Sequence, residues 1–467
     1  MRCIVVGAGN AGRPVARILN YVGHDVILTD NKVKDDFSSS VQEILRSMEN
    51  EGVTLHLGSD TPNMESWDMA YVSPTVPLEA SIRHRLMDRD IALISNKDIS
   101  SIINEVLELD VIGVTGTLGK TSTTHLISEI FQDAGYRVWT CSSLNNNLLS
   151  EYIVEGIVQG QHEKNDLAVL ELPHGTSRLT SQVKLKVGVL TNIHPEHLAE
   201  FEGSMEKYTA RKLLITHSSE IFITHLKCKE TVTPVRDDAI FYGLNSEECH
   251  FSGEFHENNL KIKYRFDDVI GLLETPFQML GYYRENATAA AAAALCYGLA
   301  RNEVGEALGK FTGIPAHMEY IGEYCGRKVY FDAAYLPEGM RPTLDCFPGH
   351  RLVVLIDNPD SSTPRDKPNI GKILGEYAQV IISSGYNETI GKLDMAAARE
   401  VLHGAKSSDA TKILVEDIQT AGILSIKHSK PGDTILHVGP GAVSAYKEVK
   451  SKMIAGIKKG CDQYGHK

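Results

Sequence analysis

Short β-branched apolar runs alternate along this chain with segments whose apolar positions recur every three to four residues, the pattern of strands alternating with helices. The run in MRCIVVGAGNAG is followed by the helical pattern PVARILNYVG and then by a second run, DVILTD. MAYVSP and IALIS repeat the strand signal, with helical stretches between them. Strands separated by helices are expected to lie parallel in one sheet. The pattern resets at 105–109, where VIGVTG begins a new strand, glycine loop and helix. LAVLEL and VGVLTNI read as strands of this second unit, 239–266 as a strand-rich insertion, 286–297 as an alanine-dense helix and 302–311 as a shorter one. Gly313 and Pro315 then break the helical pattern. VYFDAAY, RLVVLID, AQVIISS and TILHVG form a third α/β unit. The expected architecture is therefore α/β in three domains: Rossmann-like over 1–108, a P-loop ATPase-type parallel sheet over 109–313, and Rossmann-like α/β over 314–467.

The length of 467 residues gives each of three domains enough chain for its own core. A net charge of −13 argues against a non-specific nucleic-acid binder, which needs a basic surface to displace counterions, but leaves room for a local phosphate pocket. The eight cysteines are scattered without a CxxC pair and read as free thiols of a reducing compartment. The longest apolar run, 287–300, is shorter than the roughly 20 residues a membrane span needs. The first residues form a strand broken by Gly7 and Gly9, with no signal-peptide core. A cytoplasmic monomer without membrane span or nucleic-acid partner is expected.

Two glycine loops carry the candidate chemistry. In GAGNAG, Gly7, Gly9 and Gly12 stand between a strand and a helix, and Asp30 ends the next strand. Such glycines permit a tight turn and close approach of a phosphate, and the acid is placed to hold a ribose. NAD, a different diphosphate, or a purely structural turn all fit that pattern. In GVTGTLGKTST, Thr115, Gly116, Thr117, Gly119, Lys120, Thr121 and Ser122 join a strand to a helix. Backbone amides there surround phosphates, the ammonium reaches the outer phosphates and a hydroxyl binds Mg²⁺, so ATP is the expected ligand. Glu171 ends LAVLEL and His197 follows VGVLTNI, both at the sheet edge where parallel strands deliver residues. The carboxylate suits the Mg²⁺ on Thr121; the histidine reads either as a ligand or as a hydrogen-bonded loop residue.

These segments resemble the Mur ligase family, the ATP-dependent amide ligases of cell-wall peptide synthesis, over essentially the whole chain. TGTLGKT resembles the family's TGTNGKT loop, and Glu171 matches its magnesium-binding glutamate. NIHPEHLAEFEGSMEKYTARKLLI is similar to the N-x-x-x-DH-x-D…K segment. The resemblance gives His197 the second-metal position and Lys212, fifteen residues on, that of a carbamylated lysine. LGYYRENATAAAA places Asn286 at an adenine-contacting asparagine, IPAHMEYIG resembles a G-R-M-E linker with His317 in place of arginine, and FDAAYLPEGM puts Asp332 at a nucleotide-contacting aspartate. In the family the front domain holds a UDP-linked precursor, which the resemblance assigns to Gly7, Gly9, Gly12, Asp30 and Ser73 of SPTVP. Folylpolyglutamate synthetase, another branch, lacks that domain.

The chain also departs from the pattern. Leu118 replaces a polar loop residue, Glu196 replaces the aspartate of DH, and Tyr335 stands where the third domain has histidine. DNPD at 357–360 looks like a diaminopimelate-reading DNPR motif but comes too early in the domain, and GPGA at 439–442 lacks a GKGHE ending. Retained metal-binding residues with altered specificity motifs resemble the archaeal pseudomurein peptide ligases. The resemblance thus implies transfer of a free amino acid to a nucleotide-linked peptide precursor, with ATP and two Mg²⁺ ions. The metals would sit on Thr121, Glu171, His197 and Lys212, and Lys120 would neutralise the phosphates. A Mur-like ligase acting on another carboxylate, an NAD-dependent oxidoreductase and a non-catalytic nucleotide-binding regulator are the rival readings.

Overall fold

The computed structural model describes residues 1–59, 62, 67–144, 151–172, 183–196, 198–360, 364–388 and 390–465. The first sheet is formed by β1 (Arg2–Val6), β2 (Asp25–Asp30), β3 (Thr54–Leu57), β4 (Met69–Val72) and β5 (Ala92–Leu93). Its order is β3-β2-β1-β4-β5, with all pairs parallel. The strand order reverses between β1 and β4, which opens a crevice at their C-terminal ends, where α/β sheets bind ligands.

The second sheet comprises β6 (Asp110–Thr115), β7 (Val138–Cys141), β8 (Leu167–Glu171), β9 (Leu185–Leu190), β10 (Ser219–His225), β11 (Ile240–Leu244), β12 (Phe251–His256), β13 (Asn259–Phe266) and β14 (Val269–Pro276). Their order is β14-β13-β12-β11-β10-β9-β6-β8-β7. Strands from β7 to β12 run parallel, and β13 and β14 turn back antiparallel. The strand-rich stretch expected as an insertion is thus the continuation of the central sheet. Helix Tyr283–Tyr297 packs on this sheet, with Ala287 and each alanine from Ala289 to Ala294 fully buried. Methyl side chains let a helix approach a sheet closely while retaining the best helix propensity.

The third sheet contains β15 (Glu319–Tyr324), β16 (Arg327–Asp332), β17 (Leu352–Ile356) and β18 (Val380–Ser384). After a short ribbon of β19 (Tyr386–Asn387) and β20 (Lys392–Leu393), β21 (Thr411–Val415) and β22 (Thr434–Val438) complete it. The order is β15-β16-β22-β17-β18-β21, parallel except for β15. The molecule is α/β throughout, as expected. No helix among the described residues is long and apolar enough to cross a membrane.

One expectation is corrected. Cys325, in the turn between β15 and β16, and Cys461, on the last helix, are joined in a disulfide with Cα atoms 6.1 Å apart, so these two are not free thiols. Their separation of 136 residues hid a proximity that only the third domain's packing creates.

Candidate active site

β6 lies between β8 and β9, so three strand ends converge on the loop that follows Thr115. Gly119 is left-handed at φ +79° and caps helix Lys120–Asp133. A methyl there would come within 2.7 Å of Asn286 Oδ1, so the position needs glycine for both backbone and space. Asn286 is buried and its amide nitrogen has no hydrogen-bond partner, which leaves a donor beside the phosphate loop for a ligand to satisfy. The sequence-predicted Asn286 and Gly119 therefore do meet.

Thr115 Oγ1 donates to the Leu172 carbonyl at 2.7 Å, pinning the loop's entry. Thr117 Oγ1 donates to the His194 carbonyl at 3.1 Å, and the His194 amide donates back at 2.9 Å. Its hydroxyl also lies 2.9 Å from that of Tyr208. The Leu118 amide donates to Asn192 Oδ1 at 2.9 Å, and Thr191 Oγ1 donates to the Leu118 carbonyl at 2.6 Å. The segment after β9 thus fixes the loop from one side.

On the other side three oxygens line up. Thr121 Oγ1 lies 2.9 Å from Ser143 Oγ, and Ser143 reaches Glu171 Oε2 through its amide at 3.1 Å and its hydroxyl at 3.4 Å. Thr121 and Glu171 are both buried. Hard oxygen donors are what Mg²⁺ takes, so this set fits that ion. Ser143 escaped the sequence reading because VWTC was not recognised as a strand; its signal was a Ser-Ser pair following a short β-branched run.

Both lysines point at the loop. Lys120 Nζ donates to the Thr117 carbonyl at 2.8 Å, and Lys212 Nζ donates to the Gly116 carbonyl at 2.6 Å. Lys212, on helix Met205–Ser218, is only 2% exposed. Burial first, and then the positive charge of Lys120, push its ammonium well below the usual lysine range, against the pull of Glu196 and Glu171. His197 lies outside the described residues, and among the described residues no three His, Cys, Asp or Glu side chains gather as a metal site.

The linker and third domain close over this edge. Asp332, at the end of β16, is buried, and its oxygens accept from the Met318 amide at 2.7 Å, the Tyr282 hydroxyl at 2.6 Å and the Ala334 amide at 2.8 Å. Thr343 Oγ1 adds a bond at 3.2 Å. The carboxylate expected on the nucleotide thus also organises the linker. His317, with Nδ1 2.8 Å from the Pro315 carbonyl, faces His125 on the phosphate-loop helix. His125 is pushed down to about 4 by burial and by the neighbouring His317.

In the first domain, Gly7 is left-handed at φ +97°, and a methyl on Gly12 would sit 1.8 Å from the Gly7 carbonyl oxygen. Asp30 receives the Ala8 amide at 2.7 Å and the Lys32 amide at 2.9 Å, so it braces the glycine loop. Ser73 is buried against Gly7, with its Cβ 3.0 Å from where a Gly7 methyl would lie. Gly7, Gly12, Asp30 and Ser73 share the crevice where the strand order reverses, and Gly9, in the same loop, has open space beside it.

Comparison with known proteins matches residues 114–294 to the Mur ligase middle domain. UDP-N-acetylmuramoylalanine–D-glutamate ligase of Pelotomaculum thermopropionicum is 27% identical over 450 residues, covering 93% of this chain and 91% of the relative. A pseudomurein peptide ligase type C from Methanothermus fervidus superposes with a TM-score of 0.63 at 22% identity, over 97% of this chain and 99% of the other. MurF ligase from Thermotoga maritima, solved in complex with ADP, gives a TM-score of 0.64 at 16% identity, over 94% and 95% of the two chains.

Proposed function

The chain belongs to the Mur ligase family and is an ATP-dependent acid–amino-acid ligase; from that premise we propose that it adds an amino acid to a nucleotide-linked cell-wall peptide precursor through an acyl phosphate, releasing ADP and phosphate. The single observation that carries the reading is the convergence of Lys120, Thr121, Glu171 and Lys212 on one phosphate loop. In the first step a precursor carboxylate oxygen attacks the γ-phosphorus and ADP leaves. In the second the amine attacks the acyl carbon, phosphate departs and the amine's proton is released.

Phosphoryl transfer is mainly positioning and charge neutralisation. Lys120 supplies a fixed positive charge on the loop, and Asn286 offers its unpartnered amide to the nucleotide. Two Mg²⁺ ions would neutralise phosphate charge and orient the carboxylate, one held by Thr121 and Glu171, the other by His197 and a carbamylated Lys212. The neutral amine, which burial favours at Lys212, is the form that adds CO₂, losing one proton and gaining an anionic oxygen pair. Gly7, Gly9, Gly12, Asp30 and Ser73 would hold the precursor, and the third domain would bring the amino acid. The crevice in the first domain favours a nucleotide-linked acceptor over a folate-type one.

The test is ADP release from ATP·Mg²⁺ by the full chain, screened against pairs of free amino acids and UDP-linked peptide acceptors, with Lys120→Ala as the blank. The reading expects ADP and a new amide in equal amounts for one pair. ADP formation that is unchanged in Lys120→Ala would overturn it.

A further inference from the structure

Two positions where the chain departs from the family pattern, Leu118 and Tyr335, meet the same short stretch of contact between the central and third domains. Tyr335 follows β16 by three residues, and its hydroxyl donates to Glu196 Oε1 at 3.4 Å. The Tyr335 ring lies under the Arg365 guanidinium, 4.9 Å from its centroid, so the third domain holds the ring from behind. Four residues on, Gly339 in helix Pro337–Leu344 faces Leu118, and a methyl on the glycine would lie 3.5 and 3.7 Å from the leucine's two methyls. Glu338, between them, is near enough for its charge to act on His194. Leu118 belongs to the phosphate loop, and His194 and Glu196 belong to the segment tied to it through Thr117. One third-domain segment, 335–339, therefore touches both halves of the phosphate site.

Both contacts suit surfaces that join and part. Leu118 meets a glycine-bearing helix turn with room for ordinary van der Waals contact, and Tyr335 reaches a carboxylate that is itself only 8% exposed. The linker places this segment firmly, since Asp332, three residues before Tyr335, holds the Met318 amide and the Tyr282 hydroxyl.

Resting on the ligase reading above, we propose that Tyr335 is a positioning residue whose hydrogen bond to Glu196 docks the third domain on the phosphate loop and so couples closure to nucleotide binding. A nucleotide whose tight-binding form requires the docked arrangement loses apparent affinity in proportion to the fraction left undocked. Loss of one hydrogen bond to a buried carboxylate shifts such an equilibrium by about tenfold. The bond forms between elements of different domains, so its removal weakens docking more than the fold of either domain.

The experiment is calorimetric titration of the full chain with ADP and Mg²⁺, in the wild type, Tyr335→Phe, Glu196→Ala and the double variant, with thermal midpoints measured alongside. ADP affinity should fall about tenfold in Tyr335→Phe with its midpoint unchanged. The double variant should bind ADP no more weakly than Glu196→Ala, because both changes break one contact. Unchanged affinity in Tyr335→Phe, or losses that add in the double variant, would overturn the proposal. Should the wild type itself not bind ADP, the ligase reading fails instead, which separates the two.

Discussion

Lys212 sits on a helix, yet it is buried and its ammonium donates to the Gly116 carbonyl of the phosphate loop. A fully charged ammonium is costly where only 2% of the side chain is exposed and Lys120 stands nearby, and both influences favour the neutral amine. If that amine carries a carbamate in the working enzyme, Lys212→Ala should lower ATP-dependent ligation by at least about a hundredfold. Millimolar acetate or formate should restore part of the rate by filling the vacated space. Lys212→Arg should not respond, because guanidinium keeps its charge and occupies the site. Ligation at the wild-type rate in Lys212→Ala would remove the residue from the mechanism. Gly119 makes a sharper steric case. Its φ of +79° costs an alanine roughly 1–2 kcal/mol, and the added methyl would press on Asn286 Oδ1 at 2.7 Å. Gly119→Ala should therefore weaken ATP binding about tenfold or more by titration, whereas a nearly unchanged affinity would show that the loop and Asn286 move apart freely.

At the scale of elements, the strands that could be read in advance were those with short, mostly apolar cores bounded by loop or helical sequence, such as β1, β2, β6, β8, β9, β16, β17 and β22. β7 and β21 were missed because each is short and carries polar positions at a sheet edge. β15 was missed because its EYIGEY sequence faces solvent on much of its length. Those gaps matter for the site: overlooking β7 concealed Ser143, which bridges Thr121 and Glu171. The phosphate loop, Glu171 and Asn286 could be read from motif and context. The contacts of Asp332 with the linker could not, because they depend on three segments meeting in space. The third sheet also holds a titratable group with a clear consequence. His437 on β22 is fully buried and stacks on Phe331 with ring centroids 4.4 Å apart, and burial pushes it down to about 3. The unfolded chain binds a proton near pH 6.5 while the folded one does not, so stability present above that pH is lost as pH falls toward 3. Between pH 6.5 and 5 this amounts to about 2 kcal/mol. Urea midpoints should fall more steeply over that range in the wild type than in His437→Phe; parallel slopes would contradict the assignment.

Across the whole molecule, the three sheets place two phosphate-suited loops in different domains, one braced by Asp30 and the other by Thr191 and Asn192. The proposed division of labour therefore makes a directional prediction. Asp30→Ala frees the Ala8 and Lys32 amides and loosens the first loop, so the Michaelis constant for the precursor should rise about tenfold while ADP affinity stays within twofold of wild type. A fall in ADP affinity would mean that the two loops serve one ligand. The central claim, that a carboxylate of the acceptor is activated by direct attack on the γ-phosphate, is open to an isotope test. With the acceptor identified by the screen and labelled with ¹⁸O in both carboxylate oxygens, one round of ligation should leave one ¹⁸O in the amide and transfer the other to inorganic phosphate, read by mass spectrometry. Phosphate free of ¹⁸O, or AMP and pyrophosphate in place of ADP and phosphate, would contradict the account.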